Sequence, residues 1–207
     1  MSNRECRRES SYPSEWEPGD LEDKGLYGGA IECLIPKGFA DSSTLRTIPD
    51  YQEVFTNVVD DSGASLVIEL LDFKKELKDP DEVARQAQAP YLGIEPGTSS
   101  SCRHFFSDLA EATDSVSYDI DEISCRKGAN GDSLVMVNGR HIHDKEGLKW
   151  TPLAMGIKRM PQYSTDMVVT LTHGSQSAGG FETSSVLEKN LWLILESIDV
   201  KDDSLFL

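Results

Sequence analysis

The chain is poor in the groups that enzymes and metal proteins use. Its four cysteines, Cys6, Cys33, Cys102 and Cys125, are scattered and form no C-x-x-C pair. That excludes a zinc knuckle and a thioredoxin-type redox centre. There is no G-x-x-x-x-G-K-[ST] phosphate loop and no G-x-G-x-x-G fingerprint, and the glycine-bearing stretch LYGGAI at residues 26–31 has neither spacing. A G-x-S-x-G elbow and an H-E-x-x-H zinc helix are also missing. Long apolar runs are absent: nothing approaches the roughly 20 residues of a membrane span. The opening stretch MSNRECRRESSYPSEWEPGD contains no secretory apolar core. These absences predict reduced thiols in the cytosol or nucleus. They also predict no cofactor, no metal and no covalent catalysis.

Histidine is equally scarce, with four in the chain. His141 and His143 lie two apart, so a strand would project them from one face. No third ligand accompanies them, and the reading is a pair of exposed polar side chains rather than a metal site. His104 and His173 are isolated and read as structural. Cys102 precedes His104 without any other sign of an activated thiol.

Positive charge is the last shortage. Lysine and arginine number 20 against 36 acids, for a formal net charge of −16 and a pI near 4.6. Such a surface repels nucleic acid and anionic membranes and attracts basic partners. Solubility alone would also account for it. The 207 residues, 38% apolar and 27% charged, suit one soluble core that needs no disulfide or metal staple.

Residues 1–23 are polar and broken by Pro13 and Pro18, and read as a disordered lead-in on which Trp16 alone would dock. Residues 24–207 read as a single domain, with order beginning near Leu26. Strands are expected over 30–35, 52–58 and 65–71, with a stop at Pro36-Lys37-Gly38 and a turn at Asp60-Asp61-Ser62-Gly63. Helices are expected over 79–88, over 104–112 and over 183–198. In the last, Leu187, Leu191, Ile194, Leu195 and Ile198 share one face. Further strands fall at 116–123, 133–142, 150–160 and 166–172. A turn through RKGANGD precedes the second of these, and Pro161-Gln162-Tyr163-Ser164 joins the last two in a hairpin. The whole reads as α+β: a mainly antiparallel sheet flanked by helices.

One constellation remains. In Leu45-Arg46-Thr47-Ile48-Pro49-Asp50-Tyr51-Gln52-Glu53-Val54-Phe55, two acids three apart sit beside a proline-fixed bend, with Asp41 upstream. A D-x-x-E spacing matches a capping box around a short turn. Carboxylates on a rigid turn equally suit a partner's lysine or arginine. Tyr51 and Phe55 would each supply apolar contact to a partner or belong to the core, and strand alternation favours the core for Phe55.

The segment LYGGAI followed by PKGFADSSTLRTIPDYQEVF at 36–55 resembles the Ran guanine nucleotide release factor family, the MOG-type Ran-binding proteins. The likeness continues through Ile68-Glu69-Leu70-Leu71, HFFSDL at 104–109, MPQYSTDMVVT at 160–170 and Asp203-Ser204-Leu205-Phe206. It spans about 26–207 and departs from the family over 1–23, 79–101 and 125–150.

The resemblance implies a sandwich like that of the photosystem protein PsbP, and binding to the GTPase Ran with release of its GTP. It also implies a part in nuclear protein import, with residence in nucleus and cytoplasm and mainly in the nucleus. Matched to the family's P-D-x-Q-E surface, Asp50 and Glu53 are the expected Ran contacts, flanked by Asp41 and Arg46, with Tyr51 adding apolar contact. A monomer is expected, and whether a further Ran-binding protein joins the complex stays open. An acidic adaptor that holds Ran or another basic partner without nucleotide release would use the same surface. A small-molecule or lumenal protein on the same fold is the remaining alternative.

Overall fold

The computed structural model describes residues 15–77, 101–128, 132–174, 176–177 and 183–207. The helix expected over 79–88, most of the following proline- and serine-rich stretch and the centre of the RKGANGD turn lie outside the described residues.

The strands are β1 (Leu21–Leu26), β2 (Ile31–Pro36), β3 (Phe39–Asp41), β4 (Gln52–Asn57), β5 (Ser65–Asp72), β6 (Ser117–Lys127), β7 (Ser133–Ile142), β8 (Lys149–Met160), β9 (Thr165–Thr172), β10 (Gln176–Ser177) and β11 (Asp199–Val200). The helices described are α1 (Ser101–Ala112) and α2 (Thr183–Ser197). Seven strands form one antiparallel path in the order β3-β4-β5-β9-β8-β7-β6, with β10 paired to β8. A second sheet, β1-β2-β11, stands apart from it. The α+β architecture read from the sequence, a mainly antiparallel sheet with flanking helices, is the architecture observed.

The main sheet is covered on both faces. On one, α2 and the small sheet enclose Leu26, Ile31, Ile35, Phe55, Leu66, Ile68, Met136 and Ala154. On the other, α1 brings Cys102, Phe105 and Phe106 onto Val135, Val137, Met155 and Ile157. Cover on both sides explains why β7 and β8 are buried almost without interruption instead of at alternate positions. The five apolar residues expected along the last helix are all buried. Each is worth roughly 1.5–3 kcal/mol of transfer free energy.

The hairpin β8–β9 forms as its loop length predicts. It turns through Pro161–Tyr163 and closes with Ser164 at φ 51°. Inside it Arg159 faces Asp166 at 3.0 Å, both buried. The Arg159 guanidinium also donates to the carbonyls of Lys74 and Leu77 and lies 4.4 Å from the Phe73 ring. It therefore fastens the segment that leaves β5.

Two expectations need correction. Order begins before Leu26: β1 pairs residue by residue with β2 from Leu21↔Pro36 to Leu26↔Ile31. Only its two end leucines are buried, so it carries no alternation to detect, and backbone pairing makes it a strand. Upstream of it, Trp16 is indeed docked. Its ring meets Phe39 edge-on at 5.9 Å, and its amide donates to Asn190 Oδ1. The lead-in expected to reach residue 23 is thus structured from at least Glu15.

The histidine pair is the second correction. His141 is buried beneath α1, edge-on to Phe106 at 5.0 Å, instead of exposed. His143 lies just beyond β7 and bonds Thr151 Oγ1 at 2.8 Å. Burial pushes the His141 imidazole down to about 4.

Candidate functional site

Between β3 and β4 the chain makes two consecutive tight turns. Asp41 ends β3, and its Oδ1 accepts the Ser43 amide at 2.8 Å, capping the short 3-10 turn Ser42–Thr44. The amides of Leu45 and Arg46 both donate to the Ser42 carbonyl, at 3.0 and 3.1 Å. The Ser42 hydroxyl then ties the turn to β4 through Thr56 Oγ1 at 3.0 Å. The second turn closes where the Gln52 amide meets the Pro49 carbonyl at 2.9 Å, leaving Asp50 and Tyr51 at its tip.

These connections place the expected residues. Asp50, Arg46 and Tyr51 are exposed, Tyr51 at 50%. Asp41 is partly covered. The two bonds to Ser43 hold its carboxyl below the usual range, with Lys24 adding to the effect. Phe55 is fully buried, as alternation predicts, and Lys24 reaches over its ring at 5.6 Å.

Glu53 sits differently. It is the second residue of β4, on the face that carries Phe55, and its Oε1 accepts the Tyr27 amide at 2.6 Å. The capping box that the D-x-x-E spacing suggests is therefore replaced by a long-range bond between sheets.

That bond reaches the LYGG turn between β1 and β2. Tyr27, Gly28 and Gly29 have φ of 49, 71 and 94°. The glycines adopt such angles freely, but for a tyrosine the left-handed region is a strained exception. Tyr27 is held there at both ends. Its amide is bound by Glu53, and its hydroxyl donates to the carbonyls of Ile68 at 3.0 Å and Tyr51 at 3.2 Å. Burial, then the Glu53 carboxylate, raises the Tyr27 phenol far above its ordinary range, so it remains a donor. The same two causes push the nearby Cys33 thiol up to about 12. Across the β4–β5 register, Gln52 donates to Glu69 at 2.6 Å. Burial lifts the Glu69 carboxyl above the normal value.

The turn bearing Asp50 and Tyr51 is thus braced from beneath by Tyr27, whose amide Glu53 holds. Sequence reasoning missed Tyr27 as the structural support of this turn. Its signal was available in a bulky residue directly before Gly-Gly. Leu45, 84% exposed at the end of the first turn, was missed as well. Chemically the surface offers carboxylates and apolar contact on a preformed loop. It presents no nucleophile paired with a base.

Residues 24–173, which include every residue just described, match the family model described as Ran-interacting Mog1 protein. The Ran guanine nucleotide release factor of Homo sapiens is 30% identical over 150 residues, covering 72% of this chain and 73% of that protein. The nuclear import protein MOG1 of Saccharomyces cerevisiae is 25% identical over 178 residues, covering 80% and 72%. Among solved structures, the S. cerevisiae Ran-binding protein Mog1p superposes with a TM-score of 0.67 at 20% identity, over 90% of this chain and 98% of that one. The cyanobacterial PsbP of Synechocystis gives 0.51 at 10% identity, over 88% and 93%. At these identities the two structures speak for the fold alone, and that fold is the PsbP-like one.

Proposed function

This chain belongs to the Ran-interacting Mog1 protein family, and from that premise we infer that it binds the GTPase Ran and promotes release of Ran's guanine nucleotide, in support of nuclear protein import. The observation that carries the reading is the family match over 24–173, which contains the braced acidic loop. The names of the human and yeast relatives supply the activity and the process.

The chain acts by binding, without covalent catalysis. A GTPase holds its nucleotide through a phosphate-loop lysine, backbone amides and magnesium. A protein accelerates release when it binds the nucleotide-poor form more tightly than the loaded form. Asp50, exposed at the tip of its turn, is the carboxylate best placed to approach that cationic pocket. Glu53 keeps one oxygen on the Tyr27 amide and so contributes both charge and the position of the turn. Tyr51 adds apolar contact, Arg46 sits on the exposed rim, and Asp41 acts through the turn it caps. The demand is modest: coupling of roughly 1–3 kcal/mol changes affinity about 5- to 150-fold. Desolvated charge pairs with couplings of about 1.5–7 kcal/mol supply it.

The binding unit we propose is a single monomeric domain, nuclear and cytoplasmic and mainly nuclear, with Ran as partner and neither nucleic acid nor membrane. The test is release of a fluorescent GTP analogue from Ran in excess unlabelled nucleotide. Concentration-dependent acceleration, reduced in Asp50→Asn, is the expected result. Binding with an unchanged off-rate would leave an adaptor and refute the release activity.

A further inference from the structure

We propose that Leu45 is the apolar anchor of the partner surface, inserted with Tyr51 into an apolar pocket on Ran that is rimmed by lysine or arginine. This rests on the Ran-binding reading above. An exposed leucine on its own means little, because more than half of a folded surface is apolar. Leu45 differs in three respects. Among the described residues it is the second most exposed large apolar side chain, at 84%, behind Leu207. It is held in that position by a hydrogen-bonded turn: the Asp41 cap on Ser43, the Leu45 and Arg46 amides on Ser42, and the Ser42–Thr56 contact to β4. It also lies in one seven-residue stretch of the β3–β4 loop, 45–51, with the half-exposed Tyr51 and the exposed Asp50 and Arg46.

Rigid display matters because ordering a mobile loop on binding costs affinity, and a loop already fixed avoids that cost. The stretch combines an exposed aromatic and an exposed aliphatic group with charged residues between them, and aromatic and arginine side chains are enriched at interface centres. The stretch 45–51 spans at most about 25 Å when extended, so the two apolar groups and the carboxylate fall within one partner footprint. The charge sign selects the rim: carboxylates beside the apolar pair pair best with a cationic border. Asp41 is accordingly a positioning residue, holding the turn on which Leu45 stands.

The experiment is calorimetric titration of Ran with the full chain, as wild type, Leu45→Ala and Val59→Ala. Val59 is 75% exposed just past the far end of β4 and serves as the matched control. Leu45→Ala is expected to weaken binding at least tenfold, as truncated anchors do. It should also make the heat capacity of binding less negative. Val59→Ala should stay within twofold, and both variants should unfold at the wild-type temperature. If Leu45→Ala binds like Val59→Ala, the anchor is refuted while Ran binding stands. If the wild type itself does not bind, the Ran reading falls and this inference falls with it.

Discussion

Replacing Glu53 tests the brace beneath the acidic loop, and the choice of replacement decides what is learned. The Tyr27 amide reaches Glu53 Oε1 at 2.6 Å, a charge-assisted bond. Hydrogen bonds to charged groups contribute about 1.5–3 kcal/mol, and removing the acceptor leaves a partly buried N–H without its partner. Because Glu53 is only partly covered and water can recover some of the loss, about 2 kcal/mol is expected for Glu53→Ala. In a domain of this size each kcal/mol moves Tm by roughly 2–4 °C, so Tm should fall by about 4–8 °C. Glu53→Gln keeps an acceptor of the same length and removes only the charge. A neutral bond retains about 0.5–1.5 kcal/mol, so Tm should fall by about half as much.

The assay is thermal unfolding followed by far-ultraviolet circular dichroism, paired with Ran affinity for both variants. If Glu53 serves the partner through its charge, the glutamine variant loses affinity out of proportion to its small stability loss. A Glu53→Ala protein that melts with the wild type would refute the brace. The alanine variant alone could not separate contact from collapse, because the strained Tyr27 turn depends on the same carboxylate.

Other consequences can be measured apart from any partner. Asp166→Ala removes the buried carboxylate that faces buried Arg159; the expected loss is about 3–5 kcal/mol, read as a drop in urea midpoint. His141 is held neutral, with its pKa lowered from 6.5 to about 4 by burial. The unfolded chain therefore binds the extra proton between those values, and stability falls as pH drops through that window. His141→Leu should flatten the pH dependence of stability between pH 6.5 and 4, checked by urea unfolding at several pH values.

The elements most legible in the sequence are those whose pattern is local. The apolar stripe of α2 shows a 3.6-residue period, and the β8–β9 hairpin shows two strands about a proline-started turn; both appear where expected. The family signature at 26–55 identified the relatives because it is a long contiguous run, and contiguity survives without any knowledge of the fold.

What tertiary structure alone decided is wherever a residue's role comes from a distant partner. The segment Leu21–Leu26 becomes a strand because β2 supplies its backbone bonds, although its own side chains alternate poorly. His141 is buried because α1 closes over it, a contact that H-x-H spacing cannot reveal. Glu53 reads locally as half of a capping box, yet its partner lies 26 residues upstream at Tyr27. A carboxylate's sequence spacing determines which local bonds are possible. Which bond forms is settled by the donors that folding brings within 3 Å, and here that donor belongs to a strained turn in the other sheet.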